Sequence, residues 1–194
     1  MARRRPEGAA GLSALLPNFI TLGRLLAVPL AVWLMLTDRY GSAFWLFLAA
    51  GISDAIDGFL ARRLKARSEI GAYLDPLADK CLLVSSFVTL GHQGHIDSWL
   101  VILVVFRDVL IIGGAILYQT LTQSLTMQPL LISKLNTVLQ IALIGFVLAR
   151  LGLGIGDDDL TRWLGYAVAA STLASGAAYV TVWGRRALGQ GGRG

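Results

Sequence analysis

Four aspartates stand in one short stretch, "SDAIDGFLARRLKARSEIGAYLDPLADK" at residues 53–80, of a chain made mostly of Leu, Ala, Val, Ile and Gly. Carboxylates in such surroundings are costly to desolvate and mark functional sites. At about 100° per residue, Asp54, Asp57, Gly58 and Ala61 fall on one helical face with Arg62 at its edge. Gly71, Asp75 and Asp79, spaced by four, share a face of the next segment, where Pro76 either opens the helix at its first turn or kinks it. Antiparallel neighbours would bring the two carboxylate pairs together. Two charges about 4 Å apart repel by roughly 4 kcal/mol even at an effective dielectric near 20, so convergence demands protons or divalent cations. Oxygen donors suit Mg²⁺ or Mn²⁺. Four carboxylates from two helices can hold two ions, the arrangement that clamps both oxygens of a phosphoryl displacement. Gly58 and Gly71 leave bare backbone beside the acids, and Arg62 offers a planar fork for a phosphate.

The elements that must position these groups are apolar. The chain is 55% hydrophobic and 15% charged, with a mean hydropathy of +0.65; a soluble domain carries roughly 25% charge. This composition predicts an all-α, polytopic membrane protein. Six runs near the 20 residues needed to span a bilayer cover 17–36, 42–60, 74–90, 99–120, 130–151 and 160–183. They are predicted to form one membrane domain over residues 1–186, with a basic tail at 1–12 and a flexible tail at 187–194. The first run contains Asn18, Arg24 and Pro29 and lacks a small-x-small cleavage motif, so it is read as a retained helix rather than a secretory signal.

The net charge of +5 is gathered at "ARRR" (2–5), "RRLKAR" (62–67) and "GRR" (184–186), each beside an apolar run. That pattern fits the positive-inside rule and anionic lipid, and argues against nucleic acid as a partner. Both termini and the aspartate stretch are thereby expected on the cytoplasmic side, with "HQGHID" and "GDDD" opposite. His92 and His95 are then loop residues remote from the acids, and the single cysteine, Cys81, is read as a small core hydrophobe. An ion-coupled transporter would carry polar groups across the whole membrane. Here the acids stay near one side and the sixth run is almost free of charge.

The residues read D-x-x-D-G-x-x-A-R, then eight positions, then G-x-x-x-D-x-x-x-D. This resembles the signature of the CDP-alcohol phosphatidyltransferase family, matched at Asp54, Asp57, Gly58, Ala61, Arg62, Gly71, Asp75 and Asp79. The resemblance implies transfer of the phosphatidyl group of CDP-diacylglycerol to an alcohol with release of CMP, by a homodimer in a bacterial or mitochondrial inner membrane. It also implies that Asp54 and Asp75 bridge two Mg²⁺ or Mn²⁺ ions, that Asp57 completes one site and that Asp79 completes the other. Asp79 would in addition take the proton of the attacking hydroxyl. Gly58, Arg62 and Ser68 match positions that hold the cytidine diphosphate, with Ala61 and Gly71 allowing close approach.

Acceptor choice lies outside the signature. "LPNFITLGRLLAVPLAVWL" (16–34) resembles the first helix of the glycerophospholipid branch, and Asn18, Thr21 and Arg24 lie on or near one face of it. Arg107 and Asp108 sit inside the fourth run, where Arg107 is expected to face the cavity, and Lys134 stands at the cytoplasmic start of the fifth. Arg107–Asp108 and "ISKLNT" resemble the cardiolipin synthase branch, so the expected acceptor is phosphatidylglycerol, with glycerol 3-phosphate as the alternative. Activity is expected to require a divalent metal: EDTA should stop CMP release, and Asp54→Asn or Asp75→Asn should each abolish it in the same assay.

Overall fold

Apolar runs of this length hydrogen-bond their own backbones as helices, and in the computed structural model the described residues form six: α1 (Leu25–Leu36), α2 (Tyr40–Leu64), α3 (Glu69–His92), α4 (Ser98–Thr122), α5 (Leu131–Leu153) and α6 (Asp158–Gln190). The structure describes residues 23, 25–64, 69–122 and 131–190, with side chains for 23, 25–53, 80–114 and 131–181. Among the described residues there is no strand, in keeping with the all-α expectation. One helix among them, Leu131–Leu153, is by length and apolar composition fit to cross a membrane.

The helices outrun the apolar segments that locate them. The second run ends near residue 60, yet α2 continues to Leu64 and carries Arg62 and Arg63. The third begins at residue 74, yet α3 starts at Glu69, so Pro76 lies in the helix interior and not in its first turn. Lacking an N–H, Pro76 leaves the carbonyl of Ala72 without its intrahelical donor. α6 reaches Gln190, so residues 187–190, assigned from the sequence to a tail, are helical. Hydropathy stops at the first charges, whereas Arg, Lys, Glu and Gln are good helix formers.

Local chemistry ends each helix. At the close of α1, Asp38 takes a left-handed φ of 56°. Its N–H donates to the Met35 carbonyl at 3.1 Å and the N–H of Arg39 to that of Leu34 at 2.8 Å, a Schellman cap. Aspartate tolerates this conformation better than most residues, and here its carboxylate accepts from the Tyr40 hydroxyl at 2.8 Å. Gly94 (φ 78°) closes α3 in the same way, with the N–H of His95 donating to the Leu90 carbonyl at 2.9 Å. The acidic "GDDD" segment proves to be a helix start: Asp157 Oδ1 accepts from the Asp159 N–H at 3.3 Å. Asp158 and Asp159 occupy the first turn, where the helix dipole favours negative charge.

The chain forms two compact units. The first comprises Met1–Thr89 and Leu148–Ile155 and the second Leu90–Val147 and Gly156–Gly194. In the first, Ala31, Leu34, Met35, Ala43, Phe47, Leu82, Leu83 and Phe87 are buried, while Cys81 is only half-buried. Here α2 meets the end of α5 backbone to backbone, because a Cβ placed on Gly152 would strike the N and Cα of Gly41.

In the second unit the core is apolar, with Leu100, Val104, Leu143, Ile144, Val147 and Val168 buried, but it also holds polar side chains. Ile102, Phe106 and Val109 of α4 and Leu131, Leu135 and Val138 of α5 form exposed apolar stripes, whereas Arg107, Asp108, Asn136 and Gln140 are buried. Apolar surface outside and polar groups inside is the pattern of helices whose outer faces meet hydrocarbon.

Gly152→Ala should force α2 and α5 apart and cost about 1–3 kcal/mol, the range for overpacking a close contact. A fall in Tm in detergent, with Gly145→Ala (open space around its Cβ) as the comparison, checks this.

Candidate active site

The four signature aspartates lie on consecutive helices of the first unit, Asp54 and Asp57 in α2 and Asp75 and Asp79 in α3. The backbone is helical through all four, so the i,i+3 and i,i+4 spacings place each pair of Cα positions on one face. Their depths match. Asp54 precedes the end of α2 by ten residues (64 − 54) and Asp79 follows the start of α3 by ten (79 − 69), about 15 Å each at 1.5 Å per residue. Asp57 and Asp75 lie seven (64 − 57) and six (75 − 69) residues from the same two ends. Only residues 65–68 separate the helices, and a chain reversal there would set the four acids at common levels. Gly58, Ala61 and Arg62 are on α2 and Gly71 on α3. The side chains of residues 54–79 lie outside the described residues, as do Asn18, Thr21, Arg24 and Ser68 altogether. The donor set itself, four carboxylates and no sulfur or imidazole, fits hard divalent cations.

The second unit holds the other charged candidates, and its geometry is explicit. Arg107 and Asp108 are buried at 4% and 3% exposure, while their neighbours Phe106 and Val109 are both 64% exposed. The pair therefore faces the interior of the second unit. Arg107 Nη1 donates to Asp108 Oδ1 at 2.8 Å. Arg107 Nη2 donates to Ser133 Oγ of α5 at 2.6 Å and to Ser175 Oγ of α6, so one guanidinium ties three helices together. Its Nε is buried without a partner. Lys134, next to Ser133 on α5, is exposed.

One turn further along α5, Asn136 Oδ1 accepts from Ser171 Oγ and Thr172 Oγ1 of α6, each at 2.8 Å. Ser133, Asn136, Ser171, Thr172 and Ser175 were not singled out by the sequence reading. Their signal is nonetheless present: polar residues recur at 133, 136 and 140 in one apolar run and at 171, 172 and 175 in the next, the helical period on single faces.

With this geometry in view, comparison with known proteins places the chain. A family model for CDP-alcohol phosphatidyltransferase matches residues 14–183, and the chain belongs to that family. Among its relatives, CDP-diacylglycerol–glycerol-3-phosphate 3-phosphatidyltransferase 1, chloroplastic, of Oryza sativa subsp. japonica is 33% identical over 84% of this chain and 55% of its own length. Cardiolipin synthase (CMP-forming) of Homo sapiens is 31% identical over 84% of this chain and 60% of its own. CDP-diacylglycerol–glycerol-3-phosphate 3-phosphatidyltransferase of Cereibacter sphaeroides is 33% identical over 80% of this chain and 74% of its own. The chain thus spans little more than half the length of the rice and human proteins.

Asp108→Asn removes the carboxylate beside a buried guanidinium and should cost about 3–5 kcal/mol, the range for breaking a buried ion pair. Asp159→Asn cuts an exposed pair with Arg162 (64% and 74% exposed) and should leave Tm unchanged. Thermal unfolding of the two variants side by side makes the comparison.

Proposed function

We propose that the protein transfers the phosphatidyl group of CDP-diacylglycerol to the hydroxyl of phosphatidylglycerol, making cardiolipin and releasing CMP. The observation that carries the phosphatidyl transfer is the complete aspartate signature on two successive helices of a chain that belongs to the family, while the acceptor rests on the resemblance of Arg107–Asp108 and "ISKLNT" to the cardiolipin synthase branch. The acceptor oxygen attacks the phosphatidyl phosphorus, the bond from that phosphorus to the bridging oxygen of the diphosphate breaks, and CMP leaves. Asp79 receives the hydroxyl proton, and Arg62 and Ser68 hold the diphosphate with Gly58, while Ala61 and Gly71 keep the approach clear. Asp54, Asp57, Asp75 and Asp79 would hold two Mg²⁺ or Mn²⁺ ions, which supply charge neutralisation for the phosphoryl oxygens.

On the acceptor side, Asn18, Thr21, Arg24, Arg107 and Lys134 are assigned to the headgroup. The second unit favours a singly charged acceptor. Arg107 is already balanced by Asp108, which leaves Lys134 as the exposed cation at the start of α5. A phosphodiester carries one charge, whereas glycerol 3-phosphate is a dianion needing several fixed cations. Glycerol 3-phosphate remains the second reading because the rice and Cereibacter relatives carry it in their names.

The protein is further proposed to cross the bilayer six times and to act as a homodimer, with both termini and the aspartates on the cytoplasmic side. α2 to α6 have 25, 24, 25, 23 and 33 residues, each long enough for a hydrocarbon core of about 30 Å.

Purified protein given CDP-diacylglycerol, Mg²⁺ or Mn²⁺ and each acceptor separately should release CMP with phosphatidylglycerol and yield cardiolipin by mass. Phosphatidylglycerophosphate as sole product would reject the acceptor, and no CMP with any alcohol would reject the activity. Asp79→Asn should lose more than tenfold in turnover, above about 1.4 kcal/mol, while still binding CDP-diacylglycerol; a variant retaining more than about a tenth would remove the proton-accepting role.

A further inference from the structure

Two amides one turn apart on α5 are equally inaccessible and very differently employed. Asn136 and Gln140 are both 0% exposed. Asn136 accepts two hydrogen bonds from α6, whereas neither Gln140 Oε1 nor Gln140 Nε2 has a partner. The register explains the difference. Ser133 and Ser175 meet at Arg107, and Asn136 meets Ser171 and Thr172, so α5 and α6 run antiparallel. Four residues on, Gln140 comes level with Val168 (four before Thr172), an apolar residue that offers nothing to bond. The polar contacts between α5 and α6 on this face thus stop at Asn136.

We infer that Asn136 is a positioning residue: by holding α6 through Ser171 and Thr172 it fixes the register in which Ser133 and Ser175 both reach Arg107, and so sets the acceptor-side cations. Ser175 follows Ser171 by one helical turn and Ser133 precedes Asn136 by one. A rotation or slide of α6 that kept the apolar contacts would carry Ser175 away from the guanidinium. Hydrophobic contacts resist such a slide weakly because they have no direction, while two hydrogen bonds converging on one carbonyl oxygen hold one register. Ser171 keeps a second acceptor in the Val168 carbonyl at 3.0 Å, so loss of Asn136 frees Thr172 foremost. The kinetic consequence rests on the assignment of Arg107 and Lys134 to the acceptor.

The test compares Asn136→Leu and Gln140→Leu, the same type of change at equal burial, with Thr172→Val as a milder break of the same lock. Asn136→Leu should raise KM for the acceptor at least tenfold, with kcat and KM for CDP-diacylglycerol within about threefold of wild type. Thr172→Val should shift the same constant in the same direction, and combining the two should add little to either, in KM and in Tm alike. Gln140→Leu should leave acceptor KM unchanged and Tm equal or higher, since no hydrogen bond is lost.

An equal rise in acceptor KM for Gln140→Leu would overturn the inference, as would a fall in Tm for Asn136→Leu with unchanged KM. Additive Tm losses for Asn136→Leu and Thr172→Val would also overturn it, and this readout needs no turnover. It therefore separates failure of the lock from failure of the proposed activity, which would show as wild-type protein releasing no CMP.

Discussion

A guanidinium withdrawn from water must be neutralised and hydrogen-bonded or it unfolds what surrounds it, and the second unit meets that demand at both terminal nitrogens of Arg107, though not at its Nε. Asp108 neutralises it from the adjacent position by accepting from Nη1, and Ser133 and Ser175, on two other helices, accept from Nη2. The contacts are short in space and long in sequence, 26 residues to Ser133 and 68 to Ser175. One charged side chain thereby specifies how three apolar helices sit against one another. Dispersion alone would leave those helices many nearly equivalent arrangements.

The same demand accounts for the polar groups inside. On α4 and α5, Arg107, Asp108, Asn136 and Gln140 turn inward, and Phe106, Val109, Leu135 and Val138 turn outward. In water this would invite aggregation. Against hydrocarbon it costs nothing on the outside and makes every internal hydrogen bond harder to exchange, because no solvent competes for the donors. Gln140 stands apart because neither end of its amide has a partner, whereas Asn136 leaves only its Nδ2 unpaired.

The first unit solves a different problem. Its α2–α5 contact is made by glycines, Gly41 against Gly152, which let two backbones touch where no polar group is needed. The signature acids lie further along α2 and α3, at matching depths from the link between those helices. α2 and α5 approach closely at these small residues, whereas carboxylates that converge need protons or divalent cations to balance them.

Much of this was determined by the sequence alone. Helix count and rough limits follow from the length of apolar runs, and the faces on which Asp54, Asp57, Asp75 and Asp79 fall follow from spacing, because both depend only on 1.5 Å of rise and 100° of turn per residue. The family was legible only as a resemblance, carried by the eight residues of the signature. The helix ends did not follow from the sequence, since charged residues stop a hydropathy pattern without stopping a helix, as Arg62, Glu69 and Gln190 show. Nor did the role of "GDDD" as the start of α6, which depends on where the chain turns at Gly154 and Gly156. Above all, only the tertiary structure decided the partners of Arg107 and Asn136. A polar residue in an apolar helix announces that it needs a partner, but which hydroxyl reaches it depends on the register between helices. That register is set by contacts between residues far apart in the chain, and no local stretch of sequence contains it.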